Sequence, residues 1–214
     1  MSSAAMQHRQ FAEVVDFERR RDVRVITNIA GRYMLGSKRD DSGNRREFAC
    51  RALNISSQGM LLAAPVSGGV GERVIAYFAQ FGKLEGTIAR LMERGFVMTI
   101  SGTPAERARL AAKLAWLEDH KNHDIPDARQ YQRIVPRRPY STLTLVDGTT
   151  STCLVIDMSI SGVAVSADLL PPIGTPIAVG MVVGRVRRHF AEGFAIEFAE
   201  TQDIETLPHR LIRL

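Results

Sequence analysis

Cysteine is nearly missing: the chain holds two, Cys50 and Cys153, among 214 residues. Two thiols exclude the multi-bridge framework of small secreted domains. Aromatic residues are also sparse, at 7% with a single Trp, which leaves few rings on which a nucleic-acid strand could stack. No run approaches the roughly 18 consecutive apolar residues of a membrane span. The first ten residues, MSSAAMQHRQ, lack the apolar stretch of a secretory leader. A reducing, cytoplasmic setting without membrane insertion is therefore expected. The five histidines are scattered: His120 and His123 stand near one helix end, and His8, His189 and His209 stand apart. His120 and His123 have no Cys partner in sequence, so no zinc site is expected. Gly68-Gly69-Val70-Gly71 is not followed by Lys and Ser or Thr, so it reads as a turn and not as a phosphate-binding loop. No paired carboxylates and no nucleophile signature are readable, so the expectation is binding and not catalysis.

What is present is an ordinary globular composition, 45% hydrophobic and 24% charged, in a length that suits one large or two small domains. The formal net charge is +5, and its arginines are clustered. Arg19, Arg20, Arg21 and Arg24 form one group, and Arg133, Arg137 and Arg138 a second. Lys38, Arg39, Arg45 and Arg46 are interleaved with Asp40, Asp41 and Glu47 and largely cancel. Unbalanced arginine groups suit phosphates, because the guanidinium fork is planar, permanently charged and able to bind in a bidentate way.

The chain also repeats itself. Asn54-Ile55-Ser56-Ser57-Gln58-Gly59 and Asp157-Met158-Ser159-Ile160-Ser161-Gly162 both fit [D/N]-x-S-x-x-G, 103 residues apart, and Cys50 and Cys153 keep that spacing. Upstream, Arg20-x-x-x-Arg24 is matched by Arg133-x-x-x-Arg137. Downstream, Arg94-Gly95-Phe96 is matched by Glu192-Gly193-Phe194, 98 residues later. The first copy's additional residues fall in the Gly-, Asp- and Ser-rich stretch Gly36 to Asn44, where the second has the short hairpin signal Val146-Asp147-Gly148-Thr149. Length differences confined to turns fit two copies of one fold.

Within the second copy, Thr142–Leu145, Cys153–Ile156, Val163–Val165, Ile177–Val179 and Phe194–Ile196 read as short strands punctuated by Gly162, Pro171-Pro172, Gly174 and Gly184. Such strands without intervening helices predict a small antiparallel barrel. Thr103-Pro104-Ala105-Glu106 carries a helix start, with Leu110, Leu114 and Leu117 on one face and Trp116 expected to pack nearby. A shorter helix is possible over Gln10–Val15. The expected organisation is an N-terminal extension (1–16), a first barrel (17–102), a connecting helix and polar linker (103–129) and a second barrel (130–214). The polar linker suggests barrels that act nearly independently.

Both copies resemble the PilZ domain, a small β-barrel receptor for the bacterial second messenger cyclic di-GMP, and the whole is similar to tandem PilZ proteins of alphaproteobacteria. The resemblance rests on R-x-x-x-R followed by [D/N]-x-S-x-x-G, twice, in order. It implies a mainly β fold of two barrels, a non-enzymatic signalling function, and cyclic di-GMP as ligand with no cofactor. It implies binding by Arg19, Arg20, Arg21, Arg24, Asn54, Ser56 and Gly59 in the first copy. In the second, it implies Arg133, Arg137, Asp157, Ser159 and Gly162. Arginine can bind phosphate oxygens, read guanine O6 and N7, and stack on a purine. A downstream protein partner is implied, without identity. Two alternatives stay open: a nucleic-acid-binding barrel protein, and an adaptor whose barrels have lost the ligand.

Overall fold

Val182, Gly184 and Val186 are buried while Val183, Arg185 and Arg187 face water. This period-two alternation, repeated along the strands, is what closes a barrel around one apolar interior. The computed structural model describes residues 25–119, 134–136 and 138–212. In the first half, β1 (Val25–Arg39), β2 (Arg45–Ile55), β3 (Gly59–Ala63), β4 (Arg73–Phe78), β5 (Gly82–Met92) and β6 (Gly95–Thr99) form a closed barrel. Its order is β1-β2-β3-β6-β5-β4, with β1 pairing back onto β4. In the second half, β7 (Tyr140–Leu145), β8 (Thr150–Ser159), β9 (Gly162–Ala167), β10 (Pro176–Val179), β11 (Val182–Phe190) and β12 (Gly193–Phe198) close in the same order. All strand pairs are antiparallel. Two six-stranded barrels in tandem is the architecture that the resemblance implies.

Each barrel ends in a helix that covers its core. α1 (Pro104–Asp119) opens with a capping box: the Thr103 N–H donates to Glu106 Oε2 at 2.7 Å, and the Glu106 N–H donates to Thr103 Oγ1 at 3.3 Å. Leu110 and Leu114 are buried in the first core, with Leu117 packed against it. Trp116, expected beside them, is 59% exposed instead. It lies two positions beyond Leu114, which turns it about 200° around the helix, away from the leucine face. In the second barrel, the five-residue α2 (Leu207–Leu211) buries Leu207 and Leu211 in the same i, i+4 manner.

One glycine differs from expectation. Gly184, read as a turn residue, lies inside β11, where a Cβ would come within 2.3 Å of the Glu197 carbonyl oxygen. Gly86 in β5 is tighter still, where a Cβ would come within 1.8 Å of the Thr99 carbonyl oxygen. These glycines let neighbouring backbones approach, which is why a strand can run through them. The helix expected over Gln10–Val15 lies outside the described residues.

The barrels also touch directly and are not merely tethered. Ala49, Ala63 and Leu53 of the first pack against Tyr140, Leu154 and Ile156 of the second. The Ala49 N–H donates to Ser166 Oγ at 3.1 Å, and the Ala64 N–H donates to the Tyr140 hydroxyl at 3.0 Å. The extended β1–β2 hairpin is part of this contact. Lys38 Nζ lies 2.6 Å from Asp168 Oδ2, and Arg46 Nη2 donates to the Ala167 carbonyl at 3.2 Å. The insertion read as a length difference is thus a clamp, and charges expected to cancel within it pair across the interface.

Candidate ligand-binding site

The two [D/N]-x-S-x-x-G segments form matching turns. Asn54 lies near the end of β2, and Gly59 opens β3; Asp157 and Gly162 stand likewise in β8 and β9. In each barrel the register slips by one residue just before the Asn or Asp, between Ala52 and Asn54 and between Val155 and Asp157. These bulges place Leu53 and Ile156 in the patch between the barrels while Asn54 and Asp157 line surface pockets. Bulges commonly re-aim side chains in this way.

The serines hold the turns. The Ser56 N–H donates to the Gly59 carbonyl at 2.8 Å, the Ser56 hydroxyl donates to the same oxygen at 3.3 Å, and the Gln58 N–H donates to Ser56 Oγ at 3.2 Å. The Ser159 hydroxyl donates to the Gly162 carbonyl at 3.4 Å and lies 3.3 Å from Ser161 Oγ. The glycines are fixed by a neighbouring strand. Neither Gly59 nor Gly162 has positive φ, but a Cβ on Gly59 would come within 2.9 Å of the Met98 carbonyl oxygen, and one on Gly162 within 2.5 Å of that of Ile196.

Each turn borders a pocket. In the first barrel, a pocket of about 360 Å³ is lined by Asn54, Ser56, Gln58 and Gly59 and by Ala89, Arg90 and Thr99. In the second, a pocket of about 250 Å³ is lined by Asp157, Ser159, Ser161 and Gly162 and by Arg187, Arg188 and Glu197. Arg90 and Arg188 occupy matching registers, opposite Val97 and Ala195 and just past matching bulges. The sequence reading missed both, although the 98-residue spacing of Gly95 and Gly193 also joins this pair. The pockets differ in charge. The first has Arg90 and no lining carboxylate, whereas the second sets Arg187 and Arg188 against Asp157 and Glu197. Arg187 Nε lies 3.4 Å from Glu197 Oε2.

The R-x-x-x-R residues Arg19, Arg20, Arg21, Arg24, Arg133 and Arg137 lie outside the described residues. Their described neighbours Val25 and Ile134 pair close to the two turns. Val25 pairs with Ile55, one residue beyond Asn54. Ile134 bridges Met158, one residue beyond Asp157, through bonds of 2.8 and 2.9 Å. Arg24 directly precedes Val25 and Arg133 directly precedes Ile134 in the sequence. Register therefore matches Arg24 with Arg133, whereas the sequence repeat pairs it with Arg137. Arg129 stands four residues before Arg133, as Arg20 stands before Arg24, so the second copy offers two overlapping arginine pairs.

The first barrel also reaches the second site. Arg51 in β2 is 3% exposed and donates from Nη2 to the Ile156 carbonyl at 2.9 Å, next to Asp157. Burial pushes this guanidinium down from its ordinary value, and the charge of Asp157 opposes the shift. Cys50 and Cys153 are buried, opposite Gly31 and Ser141 respectively. Burial raises both thiols, Cys153 to about 12. Among the described residues no cluster of three or more His, Cys, Asp or Glu could hold a metal ion, and no helix is long and apolar enough to cross a membrane.

No protein-family model matches the sequence, and no curated protein matches it. Among solved structures, it is similar to PlzA of Borreliella burgdorferi in complex with c-di-GMP, at 12% identity over 94% of this chain and 97% of that one, with a TM-score of 0.29. It is similar to the inhibitor of motility MotI/DgrA of Bacillus subtilis, at 14% identity over 87% and 94%, with a TM-score of 0.28. YcgR of Escherichia coli in complex with c-di-GMP matches at 14% identity over 86% and 80%, also with a TM-score of 0.28. At these TM-scores the functional reading rests on the residues of the site.

Proposed function

We propose that the chain is a cyclic di-GMP receptor built of two PilZ-like barrels, a non-enzymatic signalling protein with one site on each. The observation that carries this reading is a repeated juxtaposition. In both barrels a [D/N]-x-S-x-x-G turn borders a pocket with an arginine from the matching register, Arg90 or Arg188. In the first, the strand that follows Arg20-x-x-x-Arg24 arrives one residue from Asn54, at Val25–Ile55; in the second, Ile134, which directly follows Arg133 inside Arg133-x-x-x-Arg137, bridges Met158, one residue from Asp157.

The chemistry suits a dinucleotide with two phosphodiesters and two guanines. Arginines from the lead-in segment would take phosphate oxygens and guanine O6 and N7. Asn54 or Asp157 would accept from guanine N–H groups, an ionised Asp with two oxygens and an Asn with one. Ser56 and Ser159, engaged in their own turns, would shape the site and present remaining lone pairs. Gly59 and Gly162 would keep the turn close to the adjoining strand. A protein of the cytoplasm that passes the signal to a protein partner completes this reading.

Isothermal calorimetry tests it. Cyclic di-GMP should bind, and cyclic di-AMP should bind at least tenfold more weakly, because adenine presents an amino donor where guanine presents O6. Absence of cyclic di-GMP binding, with tight binding to single-stranded DNA or RNA, would favour the nucleic-acid alternative. Binding of neither would leave an adaptor.

A further inference from the structure

The contact between the barrels is built from matching positions, and one of them is altered. Tyr140 begins β7 opposite Leu154. Its ring lies in the interface beneath the Arg94 guanidinium, 5.4 Å from the ring centroid. Its hydroxyl donates to the Arg94 carbonyl and accepts from the Ala64 N–H. In the first barrel the matching register pair is Ala30 opposite Arg51. The spacing that joins Cys50 to Cys153 joins Arg51 to Leu154, and the spacing that joins Gly95 to Gly193 joins Arg94 to Glu192.

Where the first arrangement has a tyrosine ring under the Arg94 turn, the counterpart place, between Ala30 and the Glu192 turn, is a cleft of about 470 Å³. Ala30 stands where the other side has the ring, and Arg51 stands where it has Leu154. Arg51 is 3% exposed, its buried Nε has no hydrogen-bond partner among the described residues, and it lines this cleft. A buried guanidinium N–H without an acceptor is costly and seldom retained without a use. Tyr77 and Phe78 supply aromatic wall, with the Arg32 guanidinium 5.4 Å from the Tyr77 ring centroid. The cleft has no lining residue in common with the pockets at Asn54 and Asp157.

We propose that this inter-barrel cleft is a separate binding site for a small aromatic carboxylate, whose ring takes the place that Tyr140 fills on the other side and whose oxygen accepts from Arg51 Nε. A planar ring fits because the cleft replaces a ring and is walled by rings. An oxyanion fits because the unpartnered group is a buried cation's donor. A single negative charge fits better than a phosphate dianion because Glu192 lines the same cleft, and Glu47 lies 3.3 Å from Arg32 Nε beside it. The site stands apart from the cyclic di-GMP reading and does not depend on it.

The arginine Nε–H resonances in ¹⁵N-edited NMR spectra of the full chain test the proposal. Benzoate should shift the Arg51 Nε–H resonance saturably, and benzamide, its neutral analogue, should bind at least tenfold more weakly. Ala30→Tyr, which supplies the missing ring from an exposed strand position, should weaken benzoate at least tenfold. It should leave the melting temperature unchanged or raised and leave cyclic di-GMP affinity as in the unaltered chain. Should that variant fold poorly, Ala30→Phe is read in the same way. No saturable shift with benzoate, or full benzoate affinity in folded Ala30→Tyr, would overturn the site. Tighter binding of phenyl phosphate than of benzoate would overturn its assignment to a monoanion. Loss of cyclic di-GMP binding with benzoate binding intact would affect only the functional reading above.

Discussion

The two barrels share topology, turns and bulges, yet their candidate sites are electrostatically unlike. The first presents Arg90 to a larger pocket without a lining carboxylate; the second presents two arginines already facing Asp157 and Glu197. The second also has Arg51 of the first barrel behind it, at the Ile156 carbonyl, whereas Leu53, beside Asn54, packs in the apolar patch with Leu154 and Tyr140. The two halves share the frame and differ in its charges. An anion arriving at the first site meets uncompensated positive charge. At the second it must compete with carboxylates.

The largest effect that can break this comparison lies in the lead-in arginines. Arg24→Ala should weaken cyclic di-GMP at the first site more than tenfold, since each lost charge-assisted hydrogen bond costs about 1.5–3 kcal/mol. Arg133→Ala should do the same at the second, both with unchanged melting temperature. Calorimetry showing wild-type affinity and stoichiometry in both would remove the site assignment. The second barrel's two overlapping pairs are resolved by comparing Arg137→Ala with Arg129→Ala. The larger loss is expected at Arg137; a larger loss at Arg129 would move the site to the register-matched pair.

A second effect falls on stability. Gly162→Ala forces a Cβ to 2.5 Å from the Ile196 carbonyl oxygen, and Gly59→Ala to 2.9 Å from that of Met98. Overpacking of this kind costs about 1–3 kcal/mol. Thermal denaturation should show a lower midpoint in both variants and a deeper loss in Gly162→Ala; equal midpoints would mean that the strands yield at little cost. Next in size, Arg90→Ala and Arg188→Ala should each reduce affinity at their own site, by more in the first, where nothing offsets the lost charge. The smallest effect is Glu197→Gln. It frees an exposed Arg187 from a pairing worth about 0–1 kcal/mol, so it should raise second-site affinity by less than about fivefold. A decrease would show that Glu197 helps to hold the ligand.

Much of the frame was legible in the chain because its signals are local. The paired motifs, the short β-rich runs and the Thr103–Glu106 capping box each depend on residues a few positions apart, and each marks the element found there. What escaped depends on contacts between distant segments. β11 reads as polar because Arg185, Arg187, Arg188 and His189 cluster on its exposed side. α2 is too short to signal itself and forms over Leu207 and Leu211 because the second core receives them. The interface could not be read at all, since Ala49, Leu53 and Tyr140 look like ordinary strand residues until two barrels are brought together. At the site, Asn54 and Asp157 line the pockets, while Ser56 and Ser159 serve their turns first. Arg90 and Arg188 were hidden by the abundance of arginine, and only register singled them out.

The burial of both thiols has a practical consequence. Cys50 and Cys153 are 2% and 0% exposed, and burial raises both. At neutral pH almost no thiolate is presented to an alkylating reagent, so the folded chain already behaves as a cysteine-free background. Cysteines introduced at the exposed Val70 and Val146, one on each barrel, can therefore carry a pair of spin labels without removal of any native residue. The distance between them then reports directly whether the clamp at Asp168 stays shut or opens as a ligand arrives.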